Sequence, residues 1–511
     1  MLRGRAVCRG MRVTGETVET VHHQVAACLR LLEHYEWLIN SFVLDYFQDA
    51  HWSRLPSSWQ AVLGRASPGE LADWLQPGTD TDTREHREPW PLSLLALKQT
   101  LSHLGLERRP VSDLGCAAEF LHLPAADTAW QFEPELLSER GGQHQSLKHV
   151  FRKHVKPKKQ YEMCRLAKLI SSVAESSEVE KVLDIGSGVG HLSRYLCYNN
   201  NLTVACVDGD DKLTVSARKF DEELEKTVEK LKARSGQEDL QLPPSPVHVT
   251  SHIAPDMDLA SFHQLLRNNF KMKGESLLYG LVGLHTCGDL APVILKMFVQ
   301  DSSSRMLTSL GCCYMKIKQH FPMSRYVSSL PWSSLTYTST ELSCHAIEMY
   351  ADKLRRGEED RLKVHCYRAL LEQMLAGRGP QYRHTILRTV SKPHTLSFPD
   401  YVARATAGLV SQGMPAFTEQ ELNCEAVSLK LKQWWQVVTF YSVRLAFAPV
   451  IGKTSHHFNI NIIIFPFISE TVILLDRCLY LYENGLDNTI FPLFDPMKSP
   501  RNQVIMAVKT I

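Results

Sequence analysis

The sequence predicts an α/β protein: a doubly wound, Rossmann-like sheet with an antiparallel terminal hairpin, an N-terminal helical domain and a helical insertion. Three observations carry this. From about residue 160, short apolar runs alternate with helical stretches, the texture of a parallel sheet covered by helices on both faces. The first of these runs, "KVLDI" (181–185), ends its apolar face around an acid and opens into a turn with glycine at every second position. The last two runs, "TIFPLF" and "NQVIMAVK", are joined by "DPMKSPR", which suits a hairpin closing the sheet.

Taken in order, the elements begin with a disordered start over 1–16. Arg3, Arg5, Arg9 and Arg12 precede the first acid, Glu16, and no apolar core of signal-peptide length follows them. Cytoplasm or nucleus is therefore the expected address, with a mitochondrial one kept open by the arginines. Residues 17–147 read as a helical accessory domain. In "LLEHYEWLINSFVLDYF", Leu31, Tyr35, Leu38 and Phe42 recur at three- and four-residue steps, and "PLSLLALKQTLSHLGL" (91–106) is a second helix. Residues 148–315 form the cofactor half of the sheet, with further strands expected at 202–208, 246–253, 277–286 and 305–315. The charged run "KFDEELEKTVEKLKARSGQED" reads as a solvated helix face. Residues 316–450 return to helical texture, an insertion or cap, and 470–511 complete the sheet.

Composition narrows the function classes. The chain has 511 residues, 44% of them apolar, and balances 57 Lys plus Arg against 55 Asp plus Glu, so overall charge advertises no nucleic-acid partner. Thirteen scattered cysteines form no disulfide framework and fit a reducing compartment. "WWQVVTFYSVRLAFAPVI" is interrupted by Arg444 and "FNINIIIFPFIS" by Pro466, so both read as buried core rather than as membrane spans of about 20 apolar residues.

A strand that spills into a glycine turn and then a helix aims backbone N–H groups at a ligand. A P-loop would need G-x-x-x-x-G-K-[ST], and a dinucleotide fingerprint would need glycine at 191, where His191 stands. What remains is D-x-G-x-G-x-G, carried by Asp184, Gly186, Gly188 and Gly190, the pattern of class I methyltransferases that use S-adenosyl-L-methionine. The glycines let the backbone approach the methionyl part, and Asp184 can help organise its ammonium. Asp208, at the end of the next strand, is placed for the ribose hydroxyls. Upstream, "KHVFRKHVKPKKQYE" gathers Lys148, Arg152, Lys153, Lys156, Lys158 and Lys159 with no acid among them. Such a cluster can engage several phosphates, or serve as a solvated linker.

Together "FRKHVKPKKQYE", "VLDIGSGVGHLSR", "GLHTCGDLA", "GCCYMK" and "SPRNQV" resemble the methyltransferase-like 25B proteins, also called ribosomal RNA adenine dimethylase domain-containing. The resemblance runs from about residue 25 to the end. It implies a class I methyltransferase fold and, from the second name, RNA as acceptor. The chain carries no N-P-P-[YF] element of the kind that holds an adenine amino group, and "LHTCGDLA" is nearer the "HLCG" element of enzymes that methylate tRNA ribose hydroxyls. In the family, "LAFAP" runs almost directly into "ETVILLDR"; here "IGKTSHHFNINIIIFPFIS" (451–469) intervenes.

Methyl transfer needs a lined-up acceptor and a destination for its proton. His285 and Asp289, at the end of the fourth parallel strand, are the expected bases, and Lys153, Lys156, Lys158 and Lys159 the expected acceptor-binding residues. For Asp289 a helix N-cap is the plainer role, and for His285 a packed strand end. Soft ligands recur at 285–287, 312–313, 344–345 and 365–366, but no C-x-x-C spacing groups them, so no metal is expected. RNA is the expected partner, a protein partner stays open, and no DNA is expected. The alternative is a non-catalytic module that keeps the cofactor fold to bind RNA or a protein.

Overall fold

The computed structural model describes residues 10–75, 89–111, 149–235, 244–254, 257–270, 278–342, 347–446, 468–496 and 498–509. One compact unit takes in residues 1–29, 107–334 and 470–511, and a second takes in 30–106 and 335–469.

The first unit is built on eight strands: β1 (Met11–Val13), β2 (Lys181–Ile185), β3 (Thr203–Asp208), β4 (Val247–Thr250), β5 (Tyr279–Thr286), β6 (Ser304–Gly311), β7 (Asn488–Pro492) and β8 (Gln503–Val508). They lie in the order β1-β7-β8-β6-β5-β2-β3-β4. β2, β3, β4, β5 and β6 run parallel, while β8 is antiparallel to both β6 and β7. This is the class I arrangement that the glycine turn and terminal hairpin predict. Parallel strands are buried on both faces, which is why β2, β3 and β5 read as largely apolar runs.

Helices connect them: α1 (Val18–His34), α2 (Pro157–Ser176), α3 (His191–Asn200), α4 (Asp211–Ser235), α5 (Leu259–Asn269), α6 (Leu290–Gln300) and α7 (Ile468–Glu483). Pro157 at the first position of α2 suits a helix start, where its missing N–H costs nothing. Asp258 caps α5 by accepting the Ser261 N–H at 2.9 Å. The core packs Leu166, Ile170 and Val173 of α2 and Leu196 of α3 against Val182, Val204, Val282 and Met306 of the sheet. Arg108 and Glu470 form a buried ion pair at 2.7 Å, and the Tyr314 hydroxyl donates to the other oxygen of Glu470 at 2.8 Å.

Three expectations change. The start is not wholly disordered, because Met11–Val13 pairs antiparallel with β7 and supplies the edge strand. The helical run over 31–47 breaks after α1 into a single turn, Glu36–Ile39. There the Ser41 hydroxyl donates to the Trp37 carbonyl, a local bond that competes with helix continuation. The helical accessory segment and the insertion are not two bodies: residues 30–106 and 335–469 share the second unit. Its core gathers Leu370, Leu371 and Leu375 with Phe398, Tyr401 and Val402. Arg444, within the apolar helix Trp434–Leu445, is buried and donates to the Ile39 carbonyl at 3.1 Å. Among the described residues no helix is long and apolar enough to cross a membrane. Most of 451–469 lies outside the described residues.

Candidate active site

The chain order reverses between β2 and β5, and ligands of open α/β sheets bind in the crevice at that switch point. Gly186, Gly188 and Gly190 adopt φ of 71°, 59° and 69°, the left-handed region that a side chain would strain. They differ in their reasons. A Cβ at Gly190 would fall 2.5 Å from His248, whereas one at Gly188 would meet nothing within 4 Å and would point into open space. Beneath the turn, Asp221 accepts from Arg194 at 2.5 Å and from His248 at 2.6 Å, a buried network tying α3 and β4 to α4. His191, where a dinucleotide fold would need glycine, stacks on Phe220, and burial with the Arg194 charge pushes its imidazole down to about 4.

In front of the turn lies a cavity of about 340 Å³ lined by Gly186, Asp208, Ser251, Ile253, Cys287 and Asp289, among others. Asp208 accepts the Gly188 N–H at 2.8 Å and the Asp210 N–H at 2.9 Å, so its carboxylate is fixed at the cavity rim. Val207, Ile253, Leu290 and Val293 give the cavity apolar walls suited to a nucleoside base. A rim carboxylate, backbone that approaches without side chains, and an apolar slot together fit an adenosyl group. Asp184 is placed otherwise than expected. It is buried, does not line the cavity, and accepts the Ser193 hydroxyl at 2.5 Å; burial pushes its carboxyl up to about 6. Asp184 thus braces the turn from behind rather than reaching a ligand.

The predicted bases also separate. Asp289 lines the cavity but accepts the backbone N–H groups of Lys318, Gln319 and His320 at 3.0–3.3 Å. It makes no side-chain cap to its own helix, α6. Its carboxylate anchors a loop, which leaves it poorly placed to take up a proton. His285 is the residue between two register positions, Leu284↔Leu310 and Thr286↔Gly311, so it forms a bulge. It sits at φ 63°, a strained conformation for a residue with a Cβ. Its Nε2 lies 2.9 Å from Glu162 of α2. Since a carboxylate only accepts, Nε2 is the donor, and in the neutral ring the lone pair is left on Nδ1. That Nδ1 is buried and has no hydrogen-bond partner among the described residues.

Glu162 is what the sequence reading missed. Burial would raise its carboxyl, but His285, Lys159 and the Ser499 hydroxyl, which donates at 2.6 Å, hold it down at about 2. The signal was present, since Glu162 is the first acid after the basic cluster. Of that cluster, Lys158 and Lys159 approach Glu162 at 3.6 and 3.5 Å, and Lys153 pairs with Glu223 at 2.7 Å. Lys156 is exposed at the N-cap of α2, and Lys148 lies outside the described residues.

The comparisons agree with this geometry. A family model described as "Methyltransferase domain" matches residues 158–320. The human probable methyltransferase-like protein 25 is 22% identical over 620 aligned positions, covering 96% of this chain and 97% of its own length. The mouse protein of that name is 26% identical over 249 positions, 45% of this chain and 37% of its own. A solved structure of the plantazolicin methyltransferase BpumL in complex with SAH covers 53% of this chain at 11% identity, with a TM-score of 0.18, too low to bear on the fold. A methyltransferase domain with this turn takes S-adenosyl-L-methionine, and over nearly its full length the chain is similar to methyltransferase-like protein 25.

Proposed function

We propose that the chain transfers a methyl group to RNA, with the acceptor entering at the C-terminal ends of β5 and β6. The observation that carries the enzymatic part is the His285 bulge, a strained residue two positions before the cavity-lining Cys287 whose ring is oriented by a buried carboxylate. S-adenosyl-L-methionine supplies the electrophilic methyl of its sulfonium. Asp208 and the glycine turn hold the nucleoside and methionyl parts. Glu162 fixes the His285 tautomer, and the Nδ1 lone pair receives the proton that the acceptor releases. A fold retired to mere binding has no need for such a bulge.

RNA is supported by Lys153, Lys156 and Lys158, which are exposed around the start of α2. Lysines at the surface pair weakly with carboxylates, about 0–1 kcal/mol, so phosphates compete readily for them. The test is calorimetric titration with S-adenosyl-L-methionine and S-adenosylhomocysteine, followed by incubation of labelled cofactor with RNA pools. Binding is expected for the wild type and not for Asp208→Ala or Gly188→Arg, the latter filling the open space before the turn. Label should enter RNA, and less of it in Lys156→Glu/Lys158→Glu. A folded wild type that binds neither ligand refutes the enzyme, and label entering protein alone refutes the RNA acceptor.

A further inference from the structure

We propose that Cys287, Cys312 and Cys313 form a three-thiolate site for a zinc ion, with an open fourth position at the edge of the cofactor cavity. Their sulfur atoms all lie within 4.8 Å of one another, and those of Cys312 and Cys313 are 3.7 Å apart. Two thiolates bound tetrahedrally at about 2.3 Å from one zinc ion are about 3.8 Å apart. The spacing therefore needs little adjustment to accept the ion.

The chain holds these thiols together by three separate devices. Thr286 and Gly311 are register partners at the ends of β5 and β6, so the next residues, Cys287 and Cys312, leave the sheet side by side. Gly288, at φ 59°, lets the turn after Cys287 press onto the loop after Cys313; a Cβ there would fall 2.6 Å from the Lys316 carbonyl oxygen. Asp289 then binds the 318–320 amides of that same loop. No C-x-x-C spacing is required, because adjacent strand ends do the work that a single loop does in a zinc ribbon.

Thiolate ligands select soft and borderline cations, zinc among them. Among the described residues no fourth His, Cys, Asp or Glu joins the group, and Cys287 itself lines the cavity. Three protein ligands with one open position is the stoichiometry of zinc sites that receive a water or a substrate atom, rather than of closed structural ones. Cys344 and His345 lie outside the described residues, and Cys366 is in the second unit.

The experiment is cobalt titration of the reduced, metal-stripped full chain under anaerobic conditions. One equivalent should give a thiolate-to-cobalt charge-transfer band and intense visible bands of a tetrahedral ion, both displaced by zinc. Cys287→Ser, Cys312→Ser and Cys313→Ser should each lose or weaken the charge-transfer band, while Cys424→Ser, an exposed thiol elsewhere, should leave it unchanged. His384→Ala serves as a second control, since Asp45, Glu372 and His384 form another group able to hold a metal, without thiols. Circular dichroism and titration with S-adenosylhomocysteine establish that each variant is folded, and the titration reports on the methyltransferase reading separately. No charge-transfer band in the wild type, a band that survives all three substitutions, or a disulfide within the trio in metal-free protein as isolated would overturn the site.

Discussion

In the proposed reaction, His285 and Glu162 are the pair that handles the acceptor's proton. Glu162→Gln keeps the shape but removes the charge and lets the side chain rotate an amide N–H toward the imidazole. Turnover should fall about tenfold to a hundredfold, at the low end of what a positioned base contributes, with cofactor affinity unchanged. His285→Gln should fall at least as far; equal loss of cofactor binding in either variant would place the pair in the cofactor site instead. Asp184 gives a second prediction, on stability. Its folded value, about 6, lies above the 3.8 of a free carboxyl, so the folded state holds the proton more tightly. The contribution is present below about pH 4 and is lost as pH rises through 6. Asp184→Asn keeps an acceptor for the Ser193 hydroxyl without a titrating proton. Relative to wild type it should gain about 2–3 kcal/mol between pH 4 and pH 7, read from urea midpoints at each pH. A flat difference would show that burial does not set this carboxyl.

At the scale of elements, the ends of β5 and β6 behave as one assembly. The bulge rotates His285 toward α2, the Thr286–Gly311 register brings Cys287 beside Cys312, and Asp289 closes the loop after β6. Asp289 reads from sequence as a base or an N-cap; it stands at the N-cap position of α6, but its carboxylate accepts from backbone donors of a loop 29 residues further on. Asp289→Asn replaces one accepting oxygen by an NH₂ facing those N–H groups. A stability loss of about 1 kcal/mol is expected, the net worth of a hydrogen bond, since the Lys318 and Gln319 donors are exposed and only that of His320 is half-buried. Hydrogen exchange at 318–320 should accelerate. Unchanged exchange there would return Asp289 to the list of candidate bases.

For the whole molecule, the first unit is assembled from three stretches of chain, and residues 30–106 and 335–469 are gathered in the second. The buried Arg108–Glu470 pair ties the second stretch of the first unit to the third, and Asn502 adds a bond to the Arg108 carbonyl at 2.7 Å. Arg108→Leu should cost about 3–5 kcal/mol, since it strands a buried carboxylate, whereas Arg108→Leu/Glu470→Leu should recover much of that. A double variant no better than the single one would assign the loss to packing and to the Tyr314 hydroxyl rather than to charge.

Those contrasts mark what each level of organisation decided. Local sequence was sufficient for the parallel strands, the glycine turn, Asp208 and the terminal hairpin, because each rests on patterns within a few residues: apolar runs, left-handed glycines, a strand-end acid. It was sufficient, too, for the resemblance to methyltransferase-like proteins, whose motifs are short and contiguous. The sequence could not decide that Asp184 faces inward to Ser193, that Glu162 orients His285 from 123 residues away, or that Cys287 meets Cys312 and Cys313. Nor could it show that two helical stretches hundreds of residues apart share one core. Those outcomes depend on strand register and on which helix crosses which strand end, and such contacts between distant segments leave no periodicity in the chain that makes them.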